Sequence, residues 1–415
     1  MSVRPSASWK TAKQHEQEGT YTASFWRSIP FDKLERYAEN LHSASPRSCH
    51  ANREKYASGA NAVVIELVFD DGETWVARFL APVNVCGTTP SADSLTREMD
   101  TEAATLRYIR DNTNIPVPTI ITHSSSSDNI IGMPFSIMSA VCGRSLDTFE
   151  VDLLDGRSSF VNSYMNSLAS AVVELSRCRF DRIGSLYFDP ANQTKYIIGP
   201  LASSGAGPFS SAFDYFIDSA ERMELQYLNR PSDTPDQREG RALVLWLYRL
   251  GISSVASSQD NNGSFILTHN DLHGENTLCD QNGNIVGVID WGSAAALPID
   301  TFAAQCPEFI VDITIPPPLT SLPIHRRFGR ALSNVKTPTA PFSSGRTLEQ
   351  VHSSPAACLL GKYKRLLEGP DACDEDPYAQ QLANIILGAI DTTTLKRSIM
   401  FKNWYSATLQ RVGAV

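Results

Sequence analysis

The stretch LTHNDLHGENTLCDQNGNIVGVIDWG, from Leu267 to Gly292, constrains this chain more than any other part of it. It contains two histidines, three aspartates, a glutamate and four asparagines, yet FILT before the loop and IVGVID after it are apolar enough to be buried strands. DQNGN carries Asn-Gly at its centre, the pairing that supplies the positive φ angles of a tight hairpin. The order is therefore strand, loop, strand, turn, strand. That order sets Asp271, Asn276 and Asp290 at neighbouring strand ends. One reading is a polar hairpin. The other is a metal and phosphate site: two carboxylates and a carboxamide oxygen suit Mg²⁺, a hard cation that takes oxygen ligands. One carboxylate then stays off the metal, to act as a base or to orient a nucleophile.

The rest of the chain bounds this choice. Its 415 residues are enough for roughly two to three domains, and 42% hydrophobic against 20% charged residues allow a sizeable core. A net charge of −9 argues against nucleic acid or an anionic membrane as the main partner and says nothing about a small-molecule substrate. Eight cysteines are scattered without a C-x-x-C pair, which gives no zinc pattern. The first twenty residues lack the apolar core of a signal peptide, and no stretch is apolar for long enough to span a bilayer. A cytoplasmic protein with reduced thiols is the expectation. The sequons at Asn192 and Asn262 read as chance matches, and oligomeric state is not legible.

The order of elements gives an α+β chain. Residues 1–50 form a polar segment, loose over its first twenty residues, and a helix. AVVIELVF and TWVARFL around the turn DDGE read as an antiparallel hairpin, with a further strand near Tyr56. A Gly/Thr/Pro/Ser loop is expected around Gly87 to Ser91. From about Ser94 to Arg110, Met99, Ala103, Leu106 and Ile109 recur at helical spacing. IPVPTIITH must be extended, because Pro116 and Pro118 forbid helix, and MPFSIMSAV is another strand. Beyond about residue 140 the chain turns helical: Phe160, Tyr164, Leu168, Val172 and Leu175 mark one long helix, another follows GPFSSAFDYF, and GRALVLWLYRLGI is a third. The segment from Ile315 to Gly345, rich in Pro, Ser and Thr, reads as a loop or insertion, with more helix after Thr347. The shift near residue 140 separates a small sheet-rich lobe, 51–140, from a larger helical one, 141–415.

His269, Asp271 and Asn276 have the H-x-D-x-x-x-x-N spacing of the catalytic loop of protein kinases and their relatives, and Asp290 in IDW occupies the place of the D-F-G aspartate of that signature. HNDLHGEN followed by VIDW resembles the aminoglycoside phosphotransferase-like family more than the protein kinases. EAATLRYIRDNTNIPVPTI, SIMSAVCGRSL, RIGSLYFD and GPFSSAFDYF look like the fungal branch of that family, so the resemblance covers roughly residues 55 to 312. It implies a protein kinase-like two-lobe fold, with a small antiparallel-sheet N-lobe and a large, mainly helical C-lobe. It also implies ATP and Mg²⁺ as cofactors, and transfer of a γ-phosphoryl group to a hydroxyl of a metabolite or aminoglycoside-like substrate. Carried onto this chain, the catalytic aspartate is Asp271, and Asn276 and Asp290 hold Mg²⁺. His269 supports the loop. Arg78 in WVARFL takes the place of the phosphate-binding lysine, with Glu102 as its ion-pair partner and Glu98 as the runner-up. Ser139 and Val141 offer backbone groups to adenine.

Other readings stay open at this level. A kinase-like protein that kept nucleotide binding and lost catalysis, a scaffold, has the same outline. His273 completes H-x-D-x-H, a metallohydrolase fragment, although no further His/Cys cluster supplies the remaining ligands. Asp271 with Asn276 is also turn chemistry, and Arg78 and Glu102 can be ordinary strand and helix-surface residues. Asp214, Asp218 and Glu221 recur on one helix face and either greet a cationic substrate or form the wet side opposite Phe216, Ala220, Met223 and Tyr227. Arginine at 78 keeps the lysine's charge but presents a planar fork. The turn YASGANAVV has a single glycine where a phosphate-covering loop would carry several.

Overall fold

The structure is a computed structural model. It describes residues 4–19, 22–43, 47–59, 62–81, 91–149, 151, 155, 157–255, 259–304, 323–335, 342, 344–352, 380, 383–384, 386–388 and 391–414. The chain begins with a 3₁₀ turn, Pro5–Ser8, and helices α1 (Ala12–Gln17), α2 (Thr22–Arg27) and α3 (Phe31–Leu41). Strands β1 (Cys49–Ala51), β2 (Ala57–Ser58), β3 (Ala62–Phe69) and β4 (Thr74–Leu80) lead to helix α4 (Ala92–Asn112) and strands β5 (Ile120–Ser124), β6 (Phe135–Ser139) and β7 (Arg144–Ser145). Helix α5 (Ser159–Leu175) precedes β8 (Arg179–Phe180), β9 (Ser185–Asp189) and β10 (Asn192–Gly199), then helices α6 (Ala212–Leu228) and α7 (Pro235–Val255). Strands β11 (Phe265–Thr268), β12 (Thr277–Cys279), β13 (Ile285–Val288) and β14 (Ala295–Leu297) follow. The last described helices are α8 (Ile299–Ala304), α9 (Pro323–Asn334), α10 (Leu348–His352), α11 (Thr392–Arg397) and α12 (Ile399–Val412).

Contacts gather the chain into two compact units. The first is Met1–Glu174, Ser185–Ala206 and Asp271–Ala295; the second is Leu175–Gly184, Gly207–Asn270 and Ala296–Val415. This division differs from the lobes at 51–140 and 141–415. Pairing explains the difference: β12 lies between β7 and β13, and β9 packs on α4, so these later segments cluster with the sheet residues.

The first unit is built on a sheet of order β1-β3-β4-β6-β5, with β2 also on β3, all antiparallel. The turn DDGE closes the β3–β4 hairpin. Gly72 takes φ +89°, a left-handed conformation open to glycine at no steric cost, and the Asp71 carboxylate accepts the Glu73 N–H at 2.9 Å. Ile65, Leu67, Ala77, Phe79, Phe135 and Ile137 join Leu34 and Ala38 of α3 in one buried cluster. Each large side chain buried there contributes about 1.5–3 kcal/mol before chain entropy is set against it. Strand alternation turns Arg78 away from Ala77 and Phe79, toward the face where Leu80 and Ala62 meet Met99 of α4. The first twenty residues are less loose than expected. Thr11 and Gln14 form a capping box on α1, and the Ser6 hydroxyl donates to the buried Glu66 carboxylate at 2.6 Å. The loop expected around Gly87 to Ser91 lies, except for Ser91, outside the described residues; Ser91 caps α4 by accepting the Ser94 N–H.

The second unit is mainly helical. Thr234 and Gln237 cap α7, which therefore begins several residues before the GRALVLWLYRLGI stripe. The fully buried Glu224 of α6 binds Arg249 of α7 and Arg411 of α12, tying three helices together. The acidic stripe on α6 meets cations of its own unit: Asp218 pairs with Arg222, and Glu221 lies 3.5 Å from Arg249. Strands β14, β11 and β8 form a small sheet. The 315–345 segment is corrected in part. Residues 323–334 are helix α9, with Phe328, Ala331 and Leu332 buried at i, i+3 and i+4, a stripe masked in sequence by the basic residues around it. Residues 315–322 and 336–341 of that segment lie outside the described residues.

Candidate active site

The site is assembled within the first unit by one hairpin, one strand and one helix. Thr277 pairs with Val288 across β12 and β13, and the Ile289 N–H donates to the Asn276 carbonyl at 3.0 Å. Asn276 is thereby held beside the segment that carries Asp290. The hairpin is pinned at several points. The Val288 N–H donates to the Pro116 carbonyl at 2.8 Å, the Tyr164 hydroxyl lies 3.2 Å from Thr277 Oγ1, and the buried Trp291 donates Nε1–H to the Val288 carbonyl at 3.0 Å. Asp290 itself sits at φ +62°, and Asn270, next to Asp271, at φ +67°. A left-handed conformation costs a non-glycine residue about 1–2 kcal/mol, least for Asn and Asp, so packing around the hairpin sustains it.

Asn276 and Asp271 are in contact. The Asn276 carboxamide donates from Nδ2 to the Asp271 carbonyl at 2.9 Å and lies 3.3 Å from the Asp271 carboxylate. With its nitrogen turned that way, the carboxamide keeps its oxygen as a donor atom for a cation. His273 accepts the Glu275 N–H on Nδ1 at 3.2 Å, as an N-cap of the short turn Gly274–Asn276. Its Nε2 stands 3.6 Å from the Asp271 carboxylate. Among the described residues the cluster of three or more His, Cys, Asp or Glu side chains with ligand atoms converging is His42, Asp71 and Glu73, which does not include His273. His269 is fully buried.

Arg78 gathers the other predicted residues. Its Nη1 donates to Glu102 at 2.6 Å, and its Nη2 to Glu98 at 3.2 Å and to Asp290 at 3.1 Å. Glu98 and Glu102 are one turn apart on α4, so the two carboxylates meet the two nitrogens of the fork. The arginine and Glu102 side chains are 9% and 3% exposed, against 44% for Asp290, so the pair is an internal one with a wetter third partner. Burial alone disfavours the guanidinium charge, but Glu102, Asp290 and Glu98 outweigh it and hold Arg78 firmly protonated. Burial pushes the Glu102 carboxyl up to about 7, with Asp290 and Glu98 adding and Arg78 opposing. Three carboxylates around one guanidinium leave a surplus of negative charge. Asp290 and the Asn276 carboxamide supply oxygen donors of the kind a hard divalent cation such as Mg²⁺ takes.

Ser139 and Val141 lie at and just past the end of β6. The Ser139 N–H donates to the Thr119 carbonyl at 2.9 Å, and its hydroxyl accepts the Thr119 N–H at 2.8 Å. Val141 lies against β13: a Cβ on Gly287 would come within 2.5 Å of its side chain. Sequence reasoning passed over two glycines. A Cβ on Gly292 would sit 2.7 Å from Cγ of Glu98, and one on Gly274 would sit 2.2 Å from the Asp147 carboxylate. No periodicity or motif announces such approaches; only the partner's position reveals them. A separate cavity of about 770 Å³, lined among others by Asp100, Arg107, His123, Tyr187 and Phe188, contains none of the predicted site residues.

Fold and site together define a class: an α+β protein whose hairpin aspartates and asparagine stand with a buried, carboxylate-bound cation. Residues 53–299 match the model of the phosphotransferase enzyme family, and the chain belongs to that family. It is 27% identical over 301 residues to the clavilactone A biosynthesis cluster protein Y of Ampulloclitocybe clavipes, covering 68% of this chain and 71% of that protein. Among solved structures it is similar to aminoglycoside phosphotransferase APH(4)-Ia, at 13% identity and a TM-score of 0.48, over 92% of this chain and 97% of that one. It is also similar to an ethanolamine kinase of Plasmodium vivax, at 11% identity and a TM-score of 0.46, over 97% and 92% of the two chains.

Proposed function

We propose that this phosphotransferase uses ATP and Mg²⁺ to phosphorylate a hydroxyl of a small molecule, a metabolite or an aminoglycoside-like compound. The observation that carries the proposal is the joint placement of Asp290, bound to Arg78, and of Asn276, bound to Asp271, on one hairpin of one unit. In this reading Asn276 and Asp290 would hold the metal, which when bound screens the charge of the phosphates and orients them for transfer. Arg78 directs positive charge at the phosphates, and Glu102 keeps it extended across the sheet face. Asp271, a carboxylate 46% exposed, accepts the proton of the acceptor hydroxyl as its oxygen bonds to the γ-phosphorus and the bond to the β-phosphate breaks, releasing ADP. Ser139 and Val141 offer main-chain groups to the adenine edge, and His269, by its burial, supports the loop that carries Asp271.

No described helix is long and apolar enough to cross a membrane. Among the described residues Cys49, Cys142, Cys178 and Cys279 are free thiols; a cytoplasmic setting is part of the proposed reading. A nucleotide-binding scaffold without turnover is the second reading, and one observation favours it: Arg78 grips Asp290, a residue that metal must also claim. Calorimetry with ATP and Mg²⁺, followed by an ATP-consumption screen over hydroxylated metabolites, tests both. Nucleotide binding with transfer supports the enzyme, binding with no transfer to any acceptor supports the scaffold, and no binding at millimolar ATP contradicts both.

A further inference from the structure

We infer that Glu98 is a positioning residue: acting through Arg78, it sets how readily Asp290 gives itself to a divalent cation. The inference rests on the proposed reading of Asp290 as a metal ligand.

The argument begins with the shape of the arginine. A lysine at position 78 would bring a single nitrogen, with its three donors radiating from one point. The guanidinium brings a second nitrogen at a fixed offset. Here Nη1 is taken by Glu102 at 2.6 Å, while Nη2 is divided between Glu98 at 3.2 Å and Asp290 at 3.1 Å. Glu98 is one turn N-terminal to Glu102 on the same face of α4, the place where a second carboxylate reaches the second nitrogen. Gly292 gives it that place: a Cβ there would lie 2.7 Å from Cγ and 3.1 Å from Oε1 of Glu98. Arg78, Glu98 and Gly292 thus form one packing unit drawn from β4, α4 and the segment after β13.

The consequence is a competition. The Arg78 guanidinium and a divalent cation call on the same Asp290 carboxylate. When Asp290 turns to the cation, Arg78 Nη2 must keep a partner, because a buried guanidinium proton left unpaired is costly. Glu98 is that partner. Without its charge, Nη2 leans on Asp290 alone and the cation must displace it.

The test is Mn²⁺ binding by the full-length protein with the non-hydrolysable nucleotide AMP-PNP, read from the electron paramagnetic resonance signal of free Mn²⁺. Glu98→Gln keeps the side chain's size and removes its charge. It should weaken Mn²⁺ binding roughly tenfold, the equivalent of about one charge-assisted hydrogen bond. Gly292→Ala, which crowds Glu98 without touching the metal ligands, should weaken it in the same direction. In an Arg78→Lys background the second nitrogen is gone, so the Glu98→Gln effect should shrink to less than about threefold. Circular dichroism and melting profiles establish that each variant is folded. Wild-type affinity in both Glu98→Gln and Gly292→Ala overturns the inference. So does an equal loss from Glu98→Gln in both backgrounds, because the glutamate charge would then act on the cation directly. A wild type that binds AMP-PNP with no Mn²⁺ overturns the metal reading of Asp290 itself, a failure distinct from the other two.

Discussion

Replacing Arg78 with methionine removes the guanidinium shared by Glu102, Glu98 and Asp290 while keeping much of the buried stem volume. Removing one partner of a buried ion pair costs about 3–5 kcal/mol, because the remaining charge is left in a poorly solvated place. Glu102, 3% exposed, carries most of that cost; Asp290 at 44% and Glu98 at 21% regain water and contribute less. The sign with pH follows from Glu102. Its carboxyl is already raised from 4.5 to about 7 by burial, with Asp290 and Glu98 adding and Arg78 opposing, and losing Arg78 raises it further. A raised carboxyl contributes stability that is full below its unfolded value and lost as pH rises through the folded one. The deficit of Arg78→Met relative to wild type should therefore be about 3–5 kcal/mol near pH 8 and shrink steadily toward about pH 5. Urea unfolding followed by tryptophan fluorescence at both pH values measures it. Equal stability near pH 8, or a deficit that does not shrink on acidification, refutes the claim that Arg78 serves as the counter-ion of a buried carboxylate.

Further predictions concern the hairpin and the small lobe's cation. Asp290→Gly relieves a left-handed backbone but removes one partner of Arg78, effects of about 1–2 kcal/mol that oppose each other, so it should melt close to wild type while losing metal-dependent nucleotide binding in calorimetry. Gly283→Ala should destabilise by about 1–3 kcal/mol or more in urea unfolding, because its φ is +85° and a Cβ would lie 2.2 Å from the Phe160 carbonyl oxygen. Arg78→Lys should keep part of the nucleotide affinity that Arg78→Ala loses, since it restores charge without the fork; equal affinities in a titration would make Arg78 a structural residue only.

Much of the fold was legible because apolar alternation and helical spacing coincide with the elements that form. AVVIELVF and TWVARFL pair with Val64 opposite Arg78, and α4 covers the expected stripe and runs two residues further at each end, with Ser91 as its N-cap. Three of the elements that escaped show the physical reasons. Helix α1 is short, and His15 is its one buried residue among those described, so no apolar stripe marks it. Strand β10 exposes NQTK and slips register against β9, which erases a period of two. Helix α9 hides Phe328, Ala331 and Leu332, the buried residues among those described, between arginines and a glycine. The site divides in the same way. Spacing along the chain singles out Asp271, Asn276 and Asp290; the structure puts Asn276 on Asp271 and Asp290 on Arg78, and their roles belong to the proposal. The choice between Glu102 and Glu98 could not be made from spacing, because it is no choice: the fork of Arg78 takes both. Gly292 was invisible for a similar cause, since its need for no side chain arises from a residue far away in sequence.

In the proposed reading Asp271 takes the proton of the acceptor while other residues hold the nucleotide. The measurement that tests it most directly is the rate of phosphoryl transfer from ATP to an accepted hydroxyl substrate, in wild type and in Asp271→Asn, with nucleotide affinity measured on the same preparations. Asparagine keeps the size of the side chain and cannot take up a proton at neutral pH. The account predicts transfer slower by about 10²–10⁴-fold with nucleotide affinity little changed. Transfer at the wild-type rate in Asp271→Asn would contradict it.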